Sequence, residues 1–196
     1  MIPLAWAALL AAAPAPALVD VARALPDAVI DLRYATADNL VGRPVYPEGA
    51  RCLLLPAVAD RLARAAARLR KDGLRLRLWD CYRPIAVQRE LWSRVPRKGL
   101  VADPAKGSHH NRAAAVDVAV AAADGAPVAL PTGFDDLGPR ARAHATAGIP
   151  ATARRHRDLL RAAMEAEGFR PNRMEWWHFD APEARGARIL DAPLAP

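Results

Sequence analysis

The sequence predicts an α+β fold: a single domain with a small, antiparallel-rich sheet flanked by helices. Three observations carry that expectation. Leu74–Trp79 and Ala114–Ala121 alternate in character with period two, as half-buried strands do. Residues 54–71 instead space their apolar side chains at helical intervals, and a second helix reads from a Thr152 cap through Glu167 to a Gly168 stop. The 196 residues contain no internal repeat and no dividing linker, and a chain of this length buries a core without metal or disulfide staples.

Taken in order, residues 1–17 form a short apolar run ending in Ala-x-Ala steps, the shape of a secretory signal, although no lysine or arginine precedes it. The run is shorter than the ~20 apolar residues that span a bilayer. The expectation is therefore a signal peptide at 1–17, a mature domain at 18–196, and an exported, periplasmic protein with no stable membrane insertion once the leader is removed. A leader retained on a cytosolic protein is the alternative. Val29–Tyr34 then reads as a short strand, followed by a loop through Asn39, Gly42 and Pro44. In the first helix Leu55, Val58, Leu62, Ala65, Ala66 and Leu69 share a face, and Gly73 ends it. The strand Leu74–Trp79 leads into Asp80-Cys81-Tyr82-Arg83-Pro84, and Pro84 suits the first turn of a helix reaching Arg94. Val116, Val118 and Val120 share one face of the next strand, so Asp117 faces the other way. Residues 122–150, rich in Gly, Pro and Asp, read as a long functional loop. Thr152 is the expected cap of the last helix, Gly168 its stop, and Met174–Asp180 the last strand.

Lysine and arginine exceed acidic residues by 28 to 21, for a net charge of +7. The arginines are dispersed along helical segments, at 61, 64, 68 and 70 and again at 154, 155, 157 and 161. Dispersed charge of this kind is a solvated helix face, and no recognition motif accompanies it, so no nucleic-acid partner is expected. No oligomeric state follows from these patterns. Cys52 and Cys81 lack the C-x-x-C spacing of a zinc knuckle. In an exported chain they could form one disulfide. A catalytic thiol at Cys81, beside Asp80 and Arg83, and two unpaired buried thiols are the alternatives.

The chemistry concentrates in two segments: Ser108-His109-His110 through Asp117, and Glu175-Trp176-Trp177-His178. Two histidines and an aspartate are a common open-site zinc ligand set, and a remaining glutamate is the proton carrier a zinc hydrolase needs. His109 competes with His110 for the ligand role, whereas His144 and His156 read as ordinary exposed residues. One geometric conflict stands out. In a regular strand Glu175 and His178, three apart, face opposite sides of the sheet. They share a site only if the strand is bulged or ends there, or if the glutamate reaches round its edge. Otherwise Glu175 is a solvated carboxylate and Trp176-Trp177 is core packing.

Five landmarks in order match a known family: Leu32-Arg33-Tyr34-Ala35-Thr36-Ala37-Asp38-Asn39, Trp79-Asp80-Cys81-Tyr82-Arg83-Pro84, Ser108-x-His110 through Asp117, Phe134-Asp135, and Glu175-Trp176-Trp177-His178. From about Asp31 to Phe179 the chain resembles the D-alanyl-D-alanine dipeptidases, within the zinc peptidases that also include D,D-carboxypeptidases and peptidoglycan endopeptidases. The resemblance implies one Zn2+ per chain, at the sheet, on His110, Asp117 and His178, with Glu175 as general base. It implies Arg83 as the cation that stabilises the oxyanion, whose plainer role is an ion pair with Asp80. Tyr34, Ser108 and Asp135 would help hold a small dipeptide, with Asp135 near its ammonium; turn chemistry for Asp135 and an ordinary loop hydroxyl for Ser108 are the plainer readings. The implied reaction is hydrolysis of D-Ala-D-Ala to two D-alanines in cell-wall peptide turnover. A peptidoglycan D,D-carboxypeptidase or endopeptidase, or a non-catalytic zinc-containing wall-binding module, stands as the alternative. The sequence departs from the family at Ala113, where the motif usually carries glycine. If that position needs a positive φ, alanine costs about 1 kcal/mol or forces a local shift.

Overall fold

The computed structural model describes residues 16–94 and 101–195, so the expected signal peptide lies almost wholly outside the described residues. Its short β1 (Val19–Asp20), capped α1 (Val21–Ala24), β2 (Val29–Ile30) and β3 (Leu53–Leu54) precede the main framework. That framework is helix α2 (Pro56–Arg70), strand β4 (Leu74–Asp80), helix α3 (Ile85–Arg94), strand β5 (Ala115–Ala122), helix α4 (Ala151–Ala166), and strands β6 (Arg170–Pro171) and β7 (His178–Asp180). Five strands form a mixed sheet in the order β2-β4-β5-β7-β6; β2 and β4 are parallel and every other pair is antiparallel. β1 and β3 pair separately. The α+β single domain and its antiparallel-rich sheet are as the sequence predicts. Among the described residues no helix is long and apolar enough to cross a membrane.

Helix α2 starts with Pro56 in its first turn and buries Val58, Leu62, Ala65 and Leu69 against β4 and α4. In the sheet, Leu76 pairs with Val120 and Leu78 with Val118, so the leucines and valines of β4 and β5 share one face. A bulge then intervenes: Leu78 sits opposite Val118, yet Asp80 sits opposite Asp117. The extra residue breaks strict alternation at the strand end and brings two carboxylates side by side at one end of the ladder, a common use of bulges near active sites.

Three expected elements are corrected. The strand expected over Val29–Tyr34 stops at Ile30, and Arg33–Ala35 is a 3-10 turn tied by the Thr36 hydroxyl to the Arg33 carbonyl. Polar side chains that bond backbone locally compete with strand pairing, and here they win. Thr152 does not cap α4; the helix begins at Ala151 after Pro150, with no side-chain cap. The last strand begins at His178 rather than Met174, because the Trp176 amide donates to the Ala141 carbonyl and the Met174 amide to Asn172 Oδ1, which removes both from the ladder.

An aromatic cluster seats the loops on the sheet. Trp79 on β4 meets Phe134, Trp176 and Trp177 edge-on, at centroid distances of 5.7, 5.5 and 6.3 Å. The Trp176 indole N–H also donates to Thr132 Oγ. This packing seats Thr132 and Phe134 of the long loop, with Trp176 and Trp177, over the same end of the sheet. Cys52 and Cys81 are joined in a disulfide that ties the start of β3 to the end of β4, which settles the thiol alternatives.

Candidate active site and metal centre

β5 and β7 place Asp117 and His178 directly opposite each other. His110 arrives from a 3-10 turn, His110–Arg112, ended by Ala113 in the left-handed conformation at φ 53° and ψ 32°. That bend turns the chain back into β5, so two residues seven apart converge. The three ligand-type atoms lie close together: His110 Nε2 to His178 Nδ1 is 3.2 Å, His178 Nδ1 to Asp117 Oδ1 is 2.9 Å, and His110 Nε2 to Asp117 Oδ1 is 3.4 Å. Ligands roughly 2.0–2.2 Å from a tetrahedral zinc lie about 3.3–3.6 Å from one another, so this donor set fits a metal with little adjustment.

The far nitrogens of both rings support that fit. His110 Nδ1 is 2.7 Å from the Cys81 carbonyl, and His178 Nε2 is 2.9 Å from Asp180 Oδ1. A carbonyl and a carboxylate can only accept, so these nitrogens carry the protons, and His110 Nε2 and His178 Nδ1 are left to face a cation. Burial alone would raise the Asp117 carboxyl, but the imidazoles of His110 and His178 outweigh it and hold the group well below the usual carboxylate range. Burial opposes charge on His178, yet Asp117 and Asp180 push its proton affinity well above the ordinary imidazole value. A metal entering here displaces that proton.

Glu175 escapes the strand-parity conflict because β7 begins only at His178. The turn before it, with the His178 amide donating to the Glu175 carbonyl, brings Glu175 Oε2 to 4.0 Å from His178 Nδ1. The Asn172 amide donates to the same oxygen at 3.0 Å. Burial raises the Glu175 carboxyl above its usual range, although His178 pulls the other way. Arg83 makes the ion pair with Asp80 that is its plainer expected role. Its Nε and Nη2 donate to Asp80 Oδ2 at 3.0 and 2.7 Å, while Nη2 lies 3.7 Å from Asp117 Oδ2. Nη1 donates to the buried Gln88, and the guanidinium lies over the Tyr34 ring at 4.8 Å. Burial works against this cation, and Tyr34, Asp80, Tyr46 and Asp117 around it more than compensate.

The remaining expected residues line the same cleft, of about 560 Å³, a size typical of small-molecule sites. Asp135 sits at φ 57°, and its Oδ2 accepts from the Leu40 amide at 2.9 Å. Burial raises its carboxyl to about 7. The Ser108 hydroxyl oxygen accepts from the His110 amide at 3.2 Å and leaves its own proton free to donate. His109 turns to Asp180 instead of joining the ligand cluster. His144 bonds Arg161, His156 bonds the Ala129 carbonyl, and neither lines the cleft.

Several supporting residues escaped the sequence reading. Asp180 had an available signal, since i and i+2 share a strand face with His178. Gln88, Asn172 and the Cys81 carbonyl had none, because they join the site through folding alone. Asn111, fully buried, accepts from the Ser108 amide and donates to the Arg83 carbonyl, linking the Ser108–Asp117 segment to the Asp80–Pro84 segment.

A family model described as D-ala-D-ala dipeptidase matches residues 15–193 of the chain. A protein of Escherichia coli (strain K12) named D-alanyl-D-alanine dipeptidase is 38% identical over 173 residues, covering 88% of this chain and 89% of its own length. A protein of the same name from Enterococcus faecalis is 33% identical, covering 83% of this chain and 86% of its own. One from Streptomyces coelicolor is 32% identical, with 84% and 92% covered.

Proposed function

The chain belongs to the D-Ala-D-Ala dipeptidase family, and from that premise we propose that it hydrolyses D-Ala-D-Ala to two D-alanines, using one Zn2+ held by His110, Asp117 and His178. The convergence of these three side chains beside Glu175 and Arg83 in one cleft carries the reading. When bound, Zn2+ supplies Lewis acidity toward the scissile carbonyl and an acidified nucleophilic water.

The chain's own residues supply the rest. Glu175 takes the proton from the attacking water and passes it to the leaving amine; a carboxyl raised by burial suits that exchange. Asn172 fixes one of its oxygens, so the base is oriented before substrate arrives. Arg83, locked by Asp80 and Gln88, presents a fixed cation where negative charge develops on the carbonyl oxygen. Asp135, beside Tyr34, receives the substrate ammonium, and the Ser108 hydroxyl donates to the dipeptide. Pairing with an ammonium would draw the Asp135 carboxyl back toward its ionised form.

We also propose that the protein is exported, with residues 1–17 as its signal peptide, and that it acts in the periplasm on cell-wall peptides. The Cys52–Cys81 disulfide supports an oxidising compartment. The test is D-alanine release by zinc-loaded protein from D-Ala-D-Ala, beside an N-acylated D-Ala-D-Ala peptide. Turnover of the free dipeptide alone is expected. Cleavage of only the blocked peptide would move the assignment to a D,D-carboxypeptidase, and silence on both would leave a binding module.

A further inference from the structure

We infer that His109 and Asp180 form a clamp that positions the metal ligand His178. The inference rests on the reading that His178 holds the metal. Asp180 and His178 lie two apart on β7 and share a face, while Phe179 between them is buried in the core and pins the strand. A single oxygen, Asp180 Oδ1, accepts from His178 Nε2 at 2.9 Å and from His109 Nδ1 at 2.8 Å.

The other two ligands are steadied by deeper groups. His110 is held by a backbone carbonyl at a disulfide-bonded residue, and Asp117 lies on β5, the strand paired on both sides by β4 and β7. His178 alone depends on a side chain still open to water, since Asp180 is 31% exposed; of its cross-strand neighbours, Ala115 offers no polar side chain and Arg170 is itself exposed. A half-exposed carboxylate is free to rotate toward solvent. His109, 2.8 Å away on the same oxygen, removes that freedom.

The position of His109 adds a second consequence. It immediately precedes His110, so its bond to Asp180 ties the His110 turn to β7, the two segments that carry the imidazole ligands. The backbone already links them: the Ala114 amide donates to the His109 carbonyl and the Ala181 amide to the Ala114 carbonyl. The side-chain clamp holds the ring that these bonds leave free to turn. A carboxylate partner on a ligand imidazole also raises its basicity toward the metal.

The test measures Zn2+ affinity by competition with a chromophoric chelator, and the visible spectrum of the Co2+-substituted protein, in four variants. Asp180→Asn is expected to weaken Zn2+ binding by about ten- to a hundredfold, the usual range for such supporting groups. His109→Ala should weaken it less and change the Co2+ spectrum. His109→Asn keeps an N–H near the Nδ1 position and should restore both. His109→Ala with unchanged affinity and spectrum, or His109→Asn no better than alanine, would overturn the clamp. His178→Ala separates the two layers. If it loses Zn2+ while the other variants bind normally, only the clamp fails; if it keeps Zn2+, the ligand reading fails and the clamp with it.

Discussion

The proposed metal-binding half of the cleft and its proposed substrate-facing half are built on different plans. His110, Asp117 and His178 come from a strand pair and a turn leading into it, and each imidazole has its far nitrogen bonded. The substrate half is assembled from loops: Tyr34 in a 3-10 turn, Ser108 before another, and Asp135 fastened to the Leu40 amide from 95 residues away. Ladder geometry suits a metal, which tolerates only small errors in ligand spacing. Loops suit recognition, because their side chains can change without disturbing the sheet. The comparison teaches where to expect separable effects: changes in one half should alter chemistry or metal content, and changes in the other should alter affinity for the peptide.

The largest expected effect tests the chemical half. Glu175→Ala should lower kcat by about 10²–10⁴-fold while zinc content, read by elemental analysis, stays at one per chain. A near-normal rate in that variant would remove Glu175 from the mechanism.

Chelation should abolish turnover yet leave the far-UV circular dichroism intact, because the apolar side chains buried by α2, α4, β4 and β5 hold the fold without an ion. Unfolding on chelation would instead mean that the metal half is not preformed, unlike the picture drawn from the bonds of His110 to the Cys81 carbonyl and of His178 to Asp180.

A smaller effect probes the substrate half. Asp135→Asn should raise KM for the free dipeptide about tenfold, the scale of one lost ion pair, with kcat changed only a few-fold. Equal losses in kcat and kcat/KM would place Asp135 in the chemistry. Because the Asp135 carboxyl is raised to about 7, kcat/KM should climb as pH rises through that value and this carboxyl becomes the carboxylate that pairs with the ammonium, and the asparagine variant should lack that limb. Stability carries the opposite sign. The folded state keeps a proton that the unfolded chain releases near 3.8, so this group costs stability as pH rises from there to about 7. The variant should show a flatter stability profile in thermal melts over that range.

The smallest effect is expected at Ala113→Gly. The structure confirms that this position has a positive φ, where alanine is strained by roughly 1–2 kcal/mol. Glycine would relieve that strain but gives up a fully buried methyl, about 0.8 kcal/mol, and gains about 0.4–1 kcal/mol of unfolded-chain entropy. The net change in a denaturant melt should stay within about 1 kcal/mol, with zinc affinity unaltered. A large change in zinc affinity would show that this bend sets the spacing between His110 and Asp117.

Much of the framework was legible because it is written in local periodicity. Leu74–Trp79 and Ala114–Ala121 announce strands within a few residues, and the valines at 116, 118 and 120 put Asp117 on the other face. The Glu175–His178 spacing, by contrast, reads as a contradiction until Trp176 bonds the Ala141 carbonyl, a partner 35 residues away, and delays the strand. Val29–Tyr34 looks like one strand for the same reason: its pattern does not reveal that the Thr36 hydroxyl and Asn39 side chain will close a turn on Arg33.

The sequence by itself determined the donors, their order and the strands and helices that carry most of them, because residue type and short-range spacing are properties of a few neighbouring positions. Only the tertiary structure decided which imidazole nitrogens turn toward Asp117 and each other, that His109 turns to Asp180 instead of that cluster, and that the carboxyls of Glu175 and Asp135 are raised while that of Asp117 is lowered. Those outcomes depend on burial and on charges brought within a few ångströms from distant parts of the chain, and electrostatic energy follows distance through space, not separation along the sequence.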